Sequence, residues 1–339
     1  MDSYKPKINK ADFIAKIAPE EKIRFLLQYA ILAPSTHNSQ PWLFKVSTNS
    51  CKIYYDPEIK IKEADPEGRD KYISIGCMIE NLVIAARYFN VFDRMDYRVN
   101  SADNLTAEIL FNFGHPDAQK EIEPMLDAIV ERVNVRGVFD KKPINEIARQ
   151  KLTAIQPEKN IEVAFLTEKE KIAEMASLTA TGLKQAYASS SFRQEMSGWI
   201  NSNFSKKLQG IPGYAMRMPA ILSLILPKLI RLFNIGKPLS ILNYKSFSSV
   251  PLVCILSAAE NNPETWLDIG RTGQRLMLKA NALGLKTSIF VASVEVGELY
   301  KEVQKIIGTR NRPQFVFCMG YMNGPHRHTP RHPLESKLI

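Results

Sequence analysis

Disulfide and zinc chemistry are the first things this sequence does not support. Its four cysteines, Cys51, Cys77, Cys254 and Cys318, are far apart, form no C-x-x-C pair and do not group with histidine. They read as reduced core thiols of a cytoplasmic protein, and no metal site is expected. The opening "MDSYKPKINKADFIAKI" lacks the apolar stretch of a secretory signal, which agrees with that expectation. There is no G-x-G-x-x-G, no Walker loop and no Ser–His–Asp set, so the commonest nucleotide and hydrolase machineries are excluded. The net charge is +10, yet no basic run is interleaved with aromatics. No nucleic-acid partner is expected, because a diffuse basic surface suits solubility or capture of phosphorylated small molecules. Long apolar runs are also missing. The most apolar segment, Tyr214–Phe233, has its core at Ala220–Leu226, far short of the about 20 residues that span a bilayer. Pro219 and Pro227 break it, and Arg217, Lys228 and Arg231 bracket it. A membrane-surface helix is one reading. A helical flap burying its leucines and isoleucines over an apolar pocket is the favoured one, and no membrane partner is expected.

What is present is a 339-residue chain, 45% apolar and 24% charged, long enough for two domains or one large one. A faint internal repeat organises it. "YISIGCMIENLVIAARYFN" (72–90) overlays "WLDIGRTGQRLMLKANALG" (266–284) without a gap, placing Ile75 on Ile269, Gly76 on Gly270, Leu82 on Leu276 and Ala86 on Ala280. Each copy reads as an amphipathic helix with its apolar residues on one face and an early glycine where another helix can approach. Each is followed by an apolar strand ending near Gly114 or Gly320. The halves are unequal, with a junction at 115–128 that divides the chain into 1–122 and 123–339, and a flap insertion near 205–245.

Helices are predicted at 20–33, 71–89, 125–131, 144–154, 168–188, 191–205, 216–234, 264–283 and 295–307. Strands are predicted at 42–47, 51–56, 107–113, 251–258, 287–293 ("TSIFVAS") and 314–319. Helices and strands mix without strict βαβ alternation, so the expected class is α+β with mixed or antiparallel sheets.

Three stretches carry candidate chemistry. In "AILAPSTHNSQPWLFKV" (30–46), Pro34 ends a helix and biases Ala33 out of the α region. Ser35, Thr36, His37 and Asn38 then offer hydroxyls, an amide and free backbone N–H groups, a rail for a flat heteroaromatic ring or a polyol. His37 is read as a solvent-facing turn residue. "ERVNVRGVF" alternates Arg132, Asn134 and Arg136, and a guanidinium fork suits phosphate oxygens. The tail "GPHRHTPRHPLE" adds Arg327 and Arg331 among three histidines, and a phosphate contact fits it better than a metal.

In this order the stretches resemble the FMN-dependent nitroreductase superfamily. Ala33, Pro34, Ser35, Asn38, Gln40, Pro41 and Trp42 match its A-P-S-x-x-N-x-Q-P-W signature. "RVNVRGVF" is similar to its R-x-S-x-R phosphate motif, with Asn134 where serine is usual. "ANALGLKTS" is similar to its A-x-x-x-G-L segment, and the basic tail to its closing one, with His332 where a second arginine is common. The resemblance covers most of the chain. Each half lacks the motif that the other keeps, which resembles the tandem, fused-dimer (Acg-like) branch, a pseudo-dimer within one chain.

The resemblance implies a nitroreductase-like fold and one FMN site per chain. Pro34, Ser35, Thr36 and Asn38 would line the ring and ribityl chain. Arg132, Asn134, Arg136, Arg331 and Arg327 would hold the phosphate, and backbone N–H groups near Val291 and Ala292 would meet the ring. Lys245 is a further contact of low weight. The flavin would carry the chemistry, so no catalytic side chain is named. The implied function is an oxidoreductase that uses NAD(P)H to reduce nitro, quinone or similar small electron-poor acceptors. The alternative is an FMN-binding or storage protein with a closed lid. The expected state is a monomeric pseudo-dimer or a weak homodimer.

Overall fold

The computed structural model describes residues 4–99, 103–114 and 117–339. His115 and Pro116, at the start of the predicted junction, lie outside the described residues. Helices α1 (Asp12–Ala15) and α2 (Pro19–Ala30) lead through a 3₁₀ turn, Thr36–Asn38, into strands β1 (Trp42–Ser47) and β2 (Ser50–Tyr55). Then come α3 (Arg69–Tyr88), β3 (Phe92–Tyr97) and β4 (Leu105–Phe111). Beyond α4 (Glu123–Glu131) and α5 (Glu146–Thr153) stands β5 (Ile161–Leu166). An insertion follows: α6 (Lys169–Ala188), α7 (Ser190–Trp199), the two-residue strands β6 (Ile200–Asn201) and β7 (Ile211–Pro212), a 3₁₀ turn at Gly213–Met216, α8 (Ala220–Leu232) and α9 (Gly236–Phe247). The chain closes with β8 (Leu252–Ala258), α10 (Pro263–Ala282), β9 (Lys286–Ile289), α11 (Ala292–Glu295), α12 (Tyr300–Ile307), β10 (Arg312–Gly320) and a basic tail.

The fold is α+β. Two four-stranded sheets run in the orders β1-β2-β4-β3 and β5-β8-β10-β9, and every pairing within them is antiparallel. The orders correspond strand for strand, with α3 and α10 at the same place in each repeat. The difference lies between the first two strands. β1 and β2 form a tight hairpin, whereas the whole insertion separates β5 from β8.

Helices α3 and α10 cross at the paired glycines. A Cβ on Gly76 would stand 2.2 Å from the Leu267 carbonyl oxygen, and one on Gly270 would stand 2.1 Å from that of Ile73. In the ungapped overlay Ile73 and Leu267 are equivalents, so the two contacts are mirror copies about a local two-fold. The Glu80–Arg275 ion pair (2.6 Å) has its own mirror copy in the Gln274–Asn81 hydrogen bond (2.7 Å). The sequence pattern gave α3 one apolar face. Packed against α2, α4 and α10, it is instead buried nearly all round, including Glu80 and Asn81.

Several boundaries differ from the sequence reading, for local reasons. The helix predicted over 191–205 stops at Trp199, where Ile200 and Asn201 pair with Ile211 and Pro212. The strand predicted over 287–293 ends at Ile289, and Ala292–Glu295 turns helical. A break with Gly297 at φ 54° separates that turn from α12. β3, β5 and α9 were not anticipated. β3 and β5 are edge strands, and β3 carries Asp93, Arg94 and Asp96, charges that protect an edge and hide the strand pattern. Among the described residues no helix is long and apolar enough to cross a membrane.

Candidate functional site

Prolines and backbone strain shape the first wall. After α2, the residues His37, Asn38 and Gln40 all take left-handed φ (53°, 57° and 54°), unfavourable for residues with a Cβ. A knot of hydrogen bonds holds them there. Gln40 N–H donates to Ser35 Oγ (2.9 Å), and the Gln40 amide donates to Leu208 O (2.7 Å) and accepts from His332 N–H (2.8 Å). Lys337 Nζ donates to Gln40 O (2.9 Å). The Asn38 amide donates to Pro330 O (3.1 Å) and accepts from Arg331 (2.7 Å). Trp42 is fully buried beneath the knot. The tail and the insertion are thereby tied to the turn, and Pro34, Ser35 and Thr36 face a cavity.

That cavity, about 270 Å³, lies near the lower end of ligand-pocket sizes. Of the eleven positions named from sequence, Pro34, Ser35, Thr36, Asn38, Arg132, Asn134, Arg136, Val291, Arg327 and Arg331 line it. Ala292 does not, and Lys245 is exposed on α9. The first turn of α11 leaves backbone N–H groups without intrahelical acceptors, and Val291 caps it. Residues 132–136 run extended beside β9. Val135 N–H donates to Thr287 O (3.0 Å), and Asn134 Oδ1 accepts from Ile289 N–H (2.9 Å). Asn134 therefore staples this segment to the sheet edge.

The arginines are not equivalent. Arg331 donates from Nε and Nη2 to the carbonyls of Ile31, Leu32 and Ala33 (3.0–3.2 Å), and from Nη1 to Asn38 and to the Thr329 hydroxyl (2.6 Å). It caps the end of α2, where the helix dipole favours a cation, and its donors are spent. Arg132 is buried where Arg331 is half-buried, yet its Nε and Nη1 have no hydrogen-bond partner. Burial pulls Arg132 down to about 10, and burial together with Arg132's charge pulls Arg331 down to about 9, so both remain cationic at neutral pH. Arg136 donates to Ile289 O (3.3 Å) and senses Tyr187 rather than Arg132. Its charge reaches His37. The two arginines of the R-x-N-x-R stretch thus address different parts of the cavity.

His37 is not the solvent-facing residue expected. Its ring is half-buried, 6.1 Å from Trp199 of the insertion, and Nε2 is buried without a partner. Burial and Arg136 hold it down to about 4, so it is neutral at pH 7.

Sequence reasoning missed the contribution of α3. Asp70, Ile73, Ser74 and Cys77 line the cavity at helical spacing, with Glu295 of α11 facing them. That spacing was legible; Glu295 carried no signal. Ser74 Oγ accepts from Thr36 N–H (3.2 Å). Arg69 lies 3.4 Å from Asp70 and 3.7 Å from Glu295. Burial, then the charge of Asp70, pushes the Glu295 carboxyl well above the usual carboxylate range. Among the described residues no group of three or more His, Cys, Asp and Glu is arranged to hold a metal ion.

The flap expectation also needs correction. The insertion lines the cavity through Ile211 and Ala215 only. Helix α8 buries just Ser223, Leu226 and Ile230, and leaves Ile221, Leu224, Ile225 and Leu232 exposed. With polar and cationic residues spaced between its apolar ones, it packs one narrow stripe against α7 and cannot also close over a ring.

No protein-family profile matches the chain. The chain is 35% identical over 65 residues to the putative NAD(P)H nitroreductase Rv3131 of Mycobacterium tuberculosis, a match that spans 19% of this chain and 19% of that relative's length. It is 21% identical over 322 residues to the putative NAD(P)H nitroreductase acg of the same organism, covering 92% of this chain and 94% of that one. Among solved structures it is similar to the FMN-dependent nitroreductase NfnB of Mycobacterium smegmatis in complex with NADPH (TM-score 0.41, 18% identity, 63% of this chain and 96% of that one). Over nearly its whole length the chain is thus similar to nitroreductase-family proteins. The paired sheets agree with a tandem, acg-like arrangement.

Proposed function

We propose that the chain is an FMN-dependent oxidoreductase that takes electrons from NAD(P)H and delivers them to a small electron-poor acceptor, a nitro compound or a quinone. The observation that carries this reading is the buried Arg132 guanidinium, with two unpartnered donor nitrogens, in the cavity that also holds the A-P-S-x-x-N turn. A buried cation without a carboxylate calls for an anion, and a phosphate monoester matches its fork. The names of the curated relatives point the same way.

Within this reading Arg132 holds the phosphate, with Arg327 beside it and Arg331 fixing the wall behind. Pro34, Ser35, Thr36 and Asn38 line the ribityl and ring on one side, and Asn134, Arg136 and the backbone at Val291 on the other. Bound FMN would supply the redox chemistry, accepting hydride and passing electrons on. Ile211 and Ala215 add apolar surface to the cavity wall, and neutral His37 leaves the ring face free of an added cation.

The local two-fold argues for one site per chain. The overlay that pairs Gly76 with Gly270 puts Leu267, Asp268 and Arg271 where the cavity has Ile73, Ser74 and Cys77. There Arg271 is locked to Glu80 (3.3 Å), Glu158 (3.0 Å) and Asp268 (3.7 Å), filling the place of a second cavity. Flavin released from purified protein should approach one equivalent per chain. Two equivalents, or no measurable affinity for FMN, would overturn the assignment. NAD(P)H added under nitrogen should bleach the bound flavin.

A second reading, an FMN store with little turnover, is favoured by one observation. The segment that covers the cavity is latched, with Tyr214 Oη donating to His328 O (3.0 Å) and Leu208 O accepting from Gln40. If bleaching is slow in the native chain and Tyr214→Phe accelerates it, the latch is a closed lid and storage is the better description.

A further inference from the structure

The outer face of the insertion is the strongest surface feature not absorbed by the cavity. Along α8, Ile221, Leu224, Ile225 and Leu232 recur at helical spacing opposite the buried Ser223–Leu226–Ile230 stripe, and Ile221 and Leu232 are 82% and 68% exposed. Phe233 follows, and α9 adds Ile241, Leu242 and Tyr244, also exposed. Isolated exposed apolar residues need no explanation, but a run of this kind on consecutive helices marks an interaction surface.

The charge on this region has one sign. Between Glu195 and Glu260 the sequence contains no aspartate or glutamate, while Lys206, Lys207, Arg217, Lys228, Arg231, Lys237 and Lys245 fall within it. Lys228 and Arg231 are exposed among the apolar residues of α8, as are Lys237 and Lys245 among those of α9. Long basic side chains can lay their stems along apolar surface and raise their charge to a headgroup layer.

We propose that this face docks the protein on an anionic lipid surface, with α8 and α9 lying in the plane of the headgroups. The 13-residue α8 rises about 20 Å, short of the roughly 30 Å hydrocarbon core, and Pro227 lies within it, so it rests on the bilayer and does not cross it. Apolar side chains enter the acyl boundary while lysine and arginine meet the phosphates. A second copy of the chain fits less well, because an isologous contact would set these acid-free, basic helices against each other. The buried flap expected from sequence is corrected by the direction in which the leucines and isoleucines of α8 point; a lipid partner, which the sequence did not lead us to expect, is what the proposal adds.

The proposal does not rest on the flavin reading, and its test follows the protein and not the cofactor. Full-length protein is sedimented with vesicles of phosphatidylcholine alone and with vesicles rich in phosphatidylserine. Binding is expected to the second and to fall as salt rises. The double reversal K228E/R231E should weaken it by roughly thirtyfold or more, the product of two surface charges. Ile221→Asp with Leu232→Asp should weaken it at low salt as well. Both positions are exposed, so unchanged thermal unfolding serves as the folding control. No binding to anionic vesicles would overturn the proposal. So would binding that K228E/R231E leaves unchanged, or a concentration-dependent dimer that the apolar substitutions dissolve.

Discussion

Arg132, Arg136 and Arg331 show how little residue type alone says about role. Arg331 is saturated by backbone carbonyls and Asn38, Arg132 keeps two donors unpartnered, and Arg136 sits by Tyr187 and Ile289. If the flavin reading holds, Arg132→Ala should weaken FMN by about 1.5–3 kcal/mol, the scale of hydrogen bonds to a charged group, and leave riboflavin nearly unaffected. Arg136→Ala should weaken both ligands, because it stands apart from the phosphate end. Fluorescence titration with the two flavins separates these outcomes. Glu295 gives a pH signature. Its carboxyl holds its proton more tightly in the folded chain than in the unfolded one. The stability this contributes is fully present below the unfolded value, about 4.3, and is lost as pH rises through the folded value. Glu295→Gln keeps the uncharged form at every pH. Its melting temperature should therefore rise relative to the native chain between pH 5 and pH 8, and a gap that does not change with pH would place Glu295 in a different environment.

At the scale of elements, the crossing of α3 and α10 is fixed by backbone contact. A methyl on Gly76 or Gly270 would meet a carbonyl oxygen at just over 2 Å, and carbonyls of packed helices cannot step aside as a flexible side chain can. Gly76→Ala should cost about 3 kcal/mol or more, beyond the usual overpacking penalty, and Gly270→Ala about the same. Denaturant midpoints for the pair test both the magnitude and the local symmetry. The paired glycines were legible in the sequence as points where another helix can approach; that the two helices meet each other there is set by the fold. The edge strands β3 and β5 were not legible. One face of an edge strand is partly solvated and its pattern is diluted by charge, as in "FDRMDY" and "IEVAFL".

Across the whole molecule, the two repeats are joined by the buried Glu80, held by Arg275 (2.6 Å) and Arg271 (3.3 Å). Burial would raise its carboxyl, but the charges and hydrogen bonds of those arginines outweigh it and hold the carboxyl below its ordinary value. The stability this contributes is present above about pH 4.3 and is lost as pH falls through the folded value. Glu80→Ala would leave the buried Arg271 and the half-buried Arg275 short of a partner and should cost about 3 kcal/mol at pH 7. The deficit should shrink toward pH 3, and urea unfolding at the two pH values measures it.

The sequence by itself determined the α+β class, the repeated glycine-bearing helix and the stretches that converge on the cavity. These depend on local periodicity and residue chemistry, which the chain carries wherever it folds. The tertiary structure decided which of three arginines keeps donors free, because that depends on which carbonyls stand within reach of each guanidinium. It set Glu295, which carries no signal in the sequence, opposite Asp70 and Ser74 of α3. It also turned the apolar side of α8 outward, since a helix on one narrow stripe has no second surface to bury against. Periodicity gives the angles between side chains around a helix, and only the packed neighbours give the direction of the core.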